Sequence, residues 1–222
     1  MKILMITGGN IDRDFAFSFL KENKYDKIIA VDGGLAFADS MRLPITHLVG
    51  DFDTIDSEIL ERYIHREDIS VQQYQPEKDY TDTDIGVKLA MELFEKAGKD
   101  EMKELHVFGA TGTRLDHVLA NLQMLKRPME MGIDAKIIDK NNQIQMIQGS
   151  VTLKSDGLFG KYVSLIPATQ ELQGITLEGF KYPLNRASTL FGESLCVSNE
   201  LVAEAGRILI EKGYAWLILS RD

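Results

Sequence analysis

The sequence predicts an α/β domain followed by an all-β domain: an N-terminal, mainly parallel sheet covered by helices, then a C-terminal β-sandwich. Three observations carry that expectation. Up to about residue 140, short apolar runs alternate with longer amphipathic stretches, and each run ends in Gly, Asp or Asn. Beyond that point the helical period disappears, and alternating strand-like runs follow, separated by Gly, Asn and Pro. The 222 residues, 44% of them hydrophobic, suffice for two domains with a core each. The boundary is placed at Lys140-Asn141-Asn142, giving domains 1–140 and 141–222.

In the first domain the expected strands are 2–7, 27–31, 47–51, 70–74, 104–109 and 135–139. The first resembles a leader sequence, but its apolar run is too short for one and ends in the turn Gly8-Gly9. The clearest helix is 85–97, where Ile85, Leu89 and Leu93 recur every four residues, joined by Ala90, Phe94 and Ala97. Thr81, with Asp84 three residues on, has the spacing of a helix cap. A second helix is expected at 115–131, with Leu115, Leu119, Leu122 and Met129 towards the core. Thr113 with Asp116 would cap its start and Gly132 its end. The second domain should hold strands at 143–147, 150–153, 162–166, 175–177, 203–210 and 214–220, with Lys212-Gly213 as the hairpin turn between the last two.

Composition excludes several classes. Net charge is -9, from 25 basic and 34 acidic residues, with no Lys/Arg-rich block, which argues against a nucleic-acid groove. No run of about 18 apolar residues exists, so no membrane span is expected. The single Cys196 excludes an intramolecular disulfide and fits a reducing cytoplasm. His47, His65, His106 and His117 lack metal-ligand spacing, and neither a Walker-type phosphate loop nor a GxGxxG dinucleotide fingerprint is present.

The chemistry concentrates in short polar motifs after the strands. In Gly50-Asp51-Phe52-Asp53 both aspartates can face one side while Phe52 anchors the other, an arrangement suited to a hard cation such as Mg²⁺. Downstream lies Lys78-Asp79-Tyr80-Thr81-Asp82-Thr83-Asp84. Capping accounts for Thr81 and Asp84 but leaves Lys78, Asp79 and Asp82 without a structural task. Asp82, in the first helical turn, would point towards the same cleft as Asp51 and Asp53, and three carboxylates near one point repel unless a cation joins them. Lys78 suits a phosphate as a point charge. Gly8-Gly9-Asn10, Asp32-Gly33-Gly34 and Gly109-Ala110-Thr111-Gly112-Thr113-Arg114 also follow strands, where an open α/β sheet binds ligands and glycines admit phosphates to backbone N–H groups. Arg114 opposes the helix dipole at a helix start, which makes sense beside an anion. In the second domain, Tyr182 beside Pro183 can present a flat face to an aromatic or cationic ligand, and Ser198 and Asn199 can hydrogen-bond a heterocycle edge. Local turn bonds are the plainer use of those side chains.

Taken in order, Asp32-Gly33-Gly34, Gly50-Asp51-Phe52-Asp53, Lys78-Asp79-Tyr80-Thr81-Asp82, Gly109 to His117, Tyr182-Pro183-Leu184 and Ser198-Asn199-Glu200 resemble the thiamine pyrophosphokinase family. The resemblance implies Mg-dependent transfer of pyrophosphate from ATP to the hydroxyl of thiamine, giving thiamine diphosphate and AMP. It implies Mg²⁺ on Asp51, Asp53 and Asp82, and ATP against Gly9, Asn10, Asp32, Gly33, Gly34, Lys78, Thr111, Gly112 and Arg114. Thiamine would meet Tyr182, Ser198 and Asn199, and Asp79 or Asp116 would accept the hydroxyl proton. It also implies a cytoplasmic homodimer with active sites between subunits. The sequence departs from the family at Tyr182, where members carry Trp, and at Cys196, where some carry Ser. Two other readings stay open: a pyrophosphokinase for another heterocyclic alcohol such as a hydroxymethylpterin, and a non-catalytic nucleotide or thiamine sensor.

Overall fold

Runs of Ile, Leu, Val and Met build the first sheet. In a computed structural model, which describes residues 1–75, 79–98 and 101–222, the chain divides into two units, Met1–Lys140 and Asn141–Asp222. The strands of the first unit are β1 (Lys2–Ile6), β2 (Lys27–Val31), β3 (His47–Gly50), β4 (Ser70–Gln73), β5 (Glu104–Phe108) and β6 (Asp134–Ile138). They pair in parallel in the order β6-β5-β1-β2-β3-β4. Residues 3–6 of β1 are fully buried, the signature of a parallel strand covered on both faces. The helices are α1 (Arg13–Glu22), α2 (Gly34–Ser40), α3 (Ser57–Ile64), α4 (Asp82–Lys96), α5 (Leu115–Met124) and α6 (Lys126–Glu130). None is long and apolar enough to cross a membrane.

The strand order reverses at β1, whose neighbours are β2 and β5. Such a switch opens a crevice at the carboxyl ends of the two strands. There the Gly9 N–H donates to the Gly109 carbonyl at 3.0 Å. The Thr7 hydroxyl donates to the same oxygen at 2.7 Å. A Cβ at Gly9 would collide with that carbonyl, so the two loops touch only because Gly9 has none.

Thr81 caps α4 as its spacing suggests, accepting from the Asp84 N–H at 3.2 Å. The helix expected over 115–131 is instead two. Pro128 has no N–H to offer the carbonyl one turn earlier, so the chain restarts as α6 with Pro128 in its first turn. Leu115 and Leu119, expected in the core, are 72% and 59% exposed. Arg114 rather than Thr113 occupies the N-cap position of α5, and its side chain makes no capping bond.

Within the first unit's sheet, His106 of β5 is buried, its Nδ1 2.9 Å from the Tyr25 hydroxyl. Burial, helped by the charges of Lys2 and Lys136, pushes its pKa down to about 3. The folded chain therefore refuses a proton that the unfolded chain accepts below pH 6.5 or so. Stability should fall on acidification from that pH towards 3, at up to about 1.4 kcal/mol per pH unit from this group. Urea midpoints measured between pH 7 and pH 5 should drop less steeply in His106→Gln than in the wild type.

The second unit is built of β7 (Asn142–Lys154), β8 (Tyr162–Pro167), β9 (Glu171–Glu178), β10 (Leu184–Leu190), β11 (Asn199–Glu200) and β12 (Ala205–Ser220). All pairings are antiparallel: β12 with β7, β8 and β9, β10 with β9, and β11 with β8. The sandwich core gathers Val163, Leu165, Leu172, Ile175, Ile208 and Leu217 among others. Two expected strand pairs are each one strand. The runs at 143–147 and 150–153 merge in β7, and those at 203–210 and 214–220 merge in β12. Lys212-Gly213 is therefore not a hairpin turn. It lies in a bulge, where the register against β7 shifts between Ile210 and Ala215.

Candidate active site

The crevice at the carboxyl ends of the parallel strands is shaped by three unusual backbone positions. Asp32, directly after β2, is left-handed at φ 44°. Its N–H donates to the Val49 carbonyl at 2.8 Å, and its own carbonyl accepts from the Leu35 N–H at 2.9 Å, which opens α2. At the end of β3, Gly50 has φ 153°, and a Cβ there would lie 3.2 Å from Asp32 Cα and Cβ. Glycine is what lets the end of β3 pass so close to Asp32. Phe52 is left-handed at φ 65°, a conformation that costs a bulky residue roughly 1–3 kcal/mol. Burial of its ring, 5% exposed, offsets that cost.

This turn brings Asp51 and Asp53 against Asp32. Each of the three offers a carboxylate oxygen, and these oxygens lie within 4.8 Å of one another. The Asp53 N–H donates to Asp51 Oδ1 at 3.3 Å. A hydrogen bond with the Asp51 side chain and the Asp51 charge, with smaller contributions from burial and from Asp32 and Asp82, raise the Asp53 carboxyl above its ordinary range. Asp32 Oδ1 is a buried atom without a hydrogen-bond partner among the described residues. Crowded carboxylates and an unpartnered buried oxygen are what a hard divalent cation would satisfy, so the donor set fits Mg²⁺. Asp82 stands outside this trio. It lines the same cavity as Asp32 and Asp51, and its charge reaches Asp53.

The cavity has a volume of about 570 Å³, within the range of small-molecule sites. Its walls come from Gly8 and Gly9 after β1, Asp32 after β2, Asp51 after β3, residues 79–83 at the start of α4, and the loop from Gly109 to Arg114. Of the residues expected to bind ATP, Gly9, Asp32, Gly112 and Arg114 line it. Asn10 is exposed beyond Gly9, and Gly33 and Gly34 start α2. The Thr111 hydroxyl donates to Asp139 at 2.8 Å. Lys78 lies outside the described residues.

The two expected proton acceptors differ in their surroundings. Asp79 is exposed on the cavity wall. Asp116 accepts two hydrogen bonds from Arg114, at 3.2 Å from Nε and 2.6 Å from Nη2, and one from the His117 N–H at 3.0 Å. The Arg114 guanidinium, with that N–H, pulls its pKa down to about 2. Three further cavity residues were given no role in the sequence reading. The buried Asn121 donates to the Ala110 carbonyl at 2.8 Å. His117, one helical turn before it, and Thr7 also face the cavity. The i, i+4 spacing of His117 and Asn121 is the signal that would have revealed the pair.

In the second unit Tyr182 is 59% exposed and Asn199 only 5%. Asn199 Oδ1 accepts from the Tyr182 N–H at 3.0 Å and the Glu200 N–H at 2.9 Å, while its Nδ2 donates to the Tyr182 carbonyl at 2.8 Å. Asn199 thus holds the backbone of Tyr182 rather than presenting its amide outward. Ser198 is exposed and left-handed at φ 57°, with its N–H on Ser164 Oγ at 2.9 Å. Cys196 is buried, which raises its thiol pKa. A larger depression of about 930 Å³ also lies in this unit. Its carboxylates are already engaged, Glu211 with Arg186 and Glu171 with Gln173, and among the described residues it carries no comparable cluster.

Residues 20–137 match the family described as thiamin pyrophosphokinase, catalytic domain, and residues 145–215 match the thiamin pyrophosphokinase, vitamin B1 binding domain. The thiamine pyrophosphokinase of Bacillus subtilis (strain 168) is 36% identical over 196 residues, 87% of each chain. A crystal structure of thiamine pyrophosphokinase from Bacillus subtilis superposes with a TM-score of 0.84 at 30% identity, covering 100% of both chains. One from Geobacillus thermodenitrificans gives 0.83 at 28% identity, covering 100% of this chain and 98% of that one. Two domain matches in order, and a relative this similar across most of the sequence, show that the chain belongs to the thiamine pyrophosphokinase family.

Proposed function

We propose that the protein transfers pyrophosphate from ATP to the hydroxyl of thiamine, giving thiamine diphosphate and AMP. The observation that carries this reading is the cavity of about 570 Å³, which sets a carboxylate cluster beside backbone loops open to phosphate. The unit Met1–Lys140 would be the ATP-binding catalytic domain, and Asn141–Asp222 the thiamine-binding domain.

The thiamine hydroxyl attacks the β-phosphorus, the bond to the oxygen bridging α and β breaks, and AMP leaves with that electron pair. Such transfer needs positioning and charge neutralisation more than covalent help from the protein. Gly8, Gly9, Gly109 and Gly112 line the cavity without side chains, which would let phosphate oxygens approach the backbone. Arg114 can exchange the Asp116 carboxylate for a phosphate oxygen without leaving the cavity wall. Lys78 would add a second cation on the phosphates. Asp51 and Asp53, with Asp82 nearby, would hold Mg²⁺. When bound, the ion would neutralise phosphate oxygens as charge moves onto the leaving group. Tyr182 would stack on the cationic heterocycle of thiamine, with Ser198 at its edge. We further propose a cytoplasmic homodimer with active sites at the subunit interface, a setting that suits the single buried cysteine.

Asp79 is the better placed proton acceptor, because Arg114 keeps Asp116 a weak base. Asp79→Asn should lower kcat by about 10²-fold, while Asp116→Asn should cost less. A larger loss in Asp116→Asn would reverse the assignment. The reaction itself is tested by offering the purified protein Mg²⁺, ATP and thiamine, then separating AMP and thiamine diphosphate by chromatography. AMP formed with a hydroxymethylpterin but not thiamine would redirect the substrate. No AMP with either alcohol would make the chain a sensor.

A further inference from the structure

We propose that Glu200 is a positioning residue of the thiamine subsite: by pairing with Lys181 it neutralises the ammonium group beside the Tyr182 ring, so that the ring accepts a cationic heterocycle. The inference rests on the thiamine reading above. It gives a task to the one residue of Ser198-Asn199-Glu200 which that reading leaves without one.

The Tyr182 ring already has a cation of its own. Lys181 Nζ stands 5.6 Å from the ring centroid, within reach of the attraction between an ammonium group and an aromatic face. Left uncompensated, that charge would compete with a thiazolium for the same ring and repel it. Glu200 compensates it. Oε1 of Glu200 accepts from Lys181 Nζ at 2.9 Å, and Oε2 lies 3.4 Å from Lys161 Nζ. Lys161 is placed against Tyr162 in the same way, at 5.4 Å. One carboxylate therefore answers two ammonium groups, each beside the tyrosine that follows it in the chain. The hydrogen bond with Lys181, helped by Lys161, lowers the Glu200 carboxyl, and the same bond raises the Lys181 ammonium. The pair thus stays ionised around neutral pH.

The backbone delivers this arrangement from two sides. Glu200 faces Tyr162 across the β11–β8 ladder, which brings Lys161 close. On its other side the Lys181 N–H donates to the Glu200 carbonyl at 2.9 Å, beside a bridge between Phe180 and Leu201. Side chains alternate along an extended chain. Asn199 turns inward and holds the Tyr182 backbone. Glu200 turns outward and holds the charge next to the Tyr182 ring. Tyr182 is 59% exposed, so ring surface remains for a second partner.

The test compares thiamine with 3-deazathiamine, its uncharged isostere with carbon in place of the thiazolium nitrogen. Dissociation constants for the full chain are measured by isothermal titration calorimetry at neutral pH, with Mg²⁺ and α,β-methylene-ATP present. Glu200→Gln should weaken thiamine binding about fivefold and leave 3-deazathiamine binding nearly unchanged. The double variant Glu200→Gln, Lys181→Met also removes the ammonium group and should recover the thiamine affinity. Melting temperatures should agree across the set, because an exposed ion pair adds little to folding. Wild-type thiamine affinity in Glu200→Gln, equal weakening of both ligands, or no recovery in the double variant overturns the role of Glu200. Tyr182→Leu tests the reading beneath it and should weaken thiamine more than 3-deazathiamine. Unchanged thiamine affinity in Tyr182→Leu shows that the ring is not the contact, and the inference falls with that reading.

Discussion

Asp53→Asn is expected to reduce thiamine diphosphate formation by at least about 10³-fold while the protein stays folded. Asp53 shares a carboxylate cluster with Asp32 and Asp51, and its exposed position puts few packing contacts at risk. The amide keeps the shape and loses the charge that a cation on the phosphates would need. The sign of the stability effect follows from the raised carboxyl. Its Asp51 neighbour and the further charges of Asp32 and Asp82 disfavour the ionised form in the fold. The contribution of this group is fully present below the ordinary Asp range and is lost as pH rises through its elevated folded value. Near neutral pH and without metal, the variant should melt at or slightly above the wild type. Calorimetry in the presence of a chelator checks the fold, and chromatography of AMP and thiamine diphosphate checks turnover. Near-normal activity would sink the metal-site reading.

Asn199→Ala should have the largest effect in the second unit, and on two readouts at once. The side chain is almost fully buried and makes three hydrogen bonds, two of them to backbone N–H groups. Alanine leaves those groups and the Tyr182 carbonyl without partners, a loss of about 3 kcal/mol, or a melting temperature lower by roughly 6–12 °C. Because the amide bonds to both the N–H and the carbonyl of Tyr182, its removal also frees the ring proposed to meet thiamine. KM for thiamine should rise while KM for ATP holds. Equal changes in both would show that Asn199 supports the fold alone.

Much of the first unit was readable from the sequence because its strands are continuous apolar runs ending in Gly or Asp, a pattern that a parallel sheet buried on both faces produces directly. Errors arose where local chemistry admits two outcomes. Lys212-Gly213 suits a hairpin turn or a bulge equally well, and only pairing with β7 on one side and β9 on the other makes it a bulge. Leu115 and Leu119 have helical spacing, yet α5 turns them outward. The site divides in the same way. Asp51 and Asp53 were legible because they are two residues apart, whereas Asp32 joins them only through the parallel neighbours β2 and β3. Its own Gly-Gly flank pointed to phosphate instead. For Asn199, residue type alone does not distinguish an amide facing a ligand from one buried against its own chain.

The pairing of β12 has a consequence for how the second unit comes into being. Among the described strands, β7, β8 and β9 each pair with β12 and not with one another, so β12 is the hub of that sheet system. It is also the last of them in the chain, and its far end brings Ser220 beside Asn142. Although β9 can pair with β10 and β8 with β11 beforehand, each of the three must wait for a segment synthesised after all of them to complete its ladders. Closing so long a loop to join β7 to β12 is entropically slow, while the first unit can condense as its successive strands emerge. During synthesis the protein should pass through a stage in which the first unit is native and the second still has exposed strand edges. Chaperone demand and aggregation risk would concentrate in that interval.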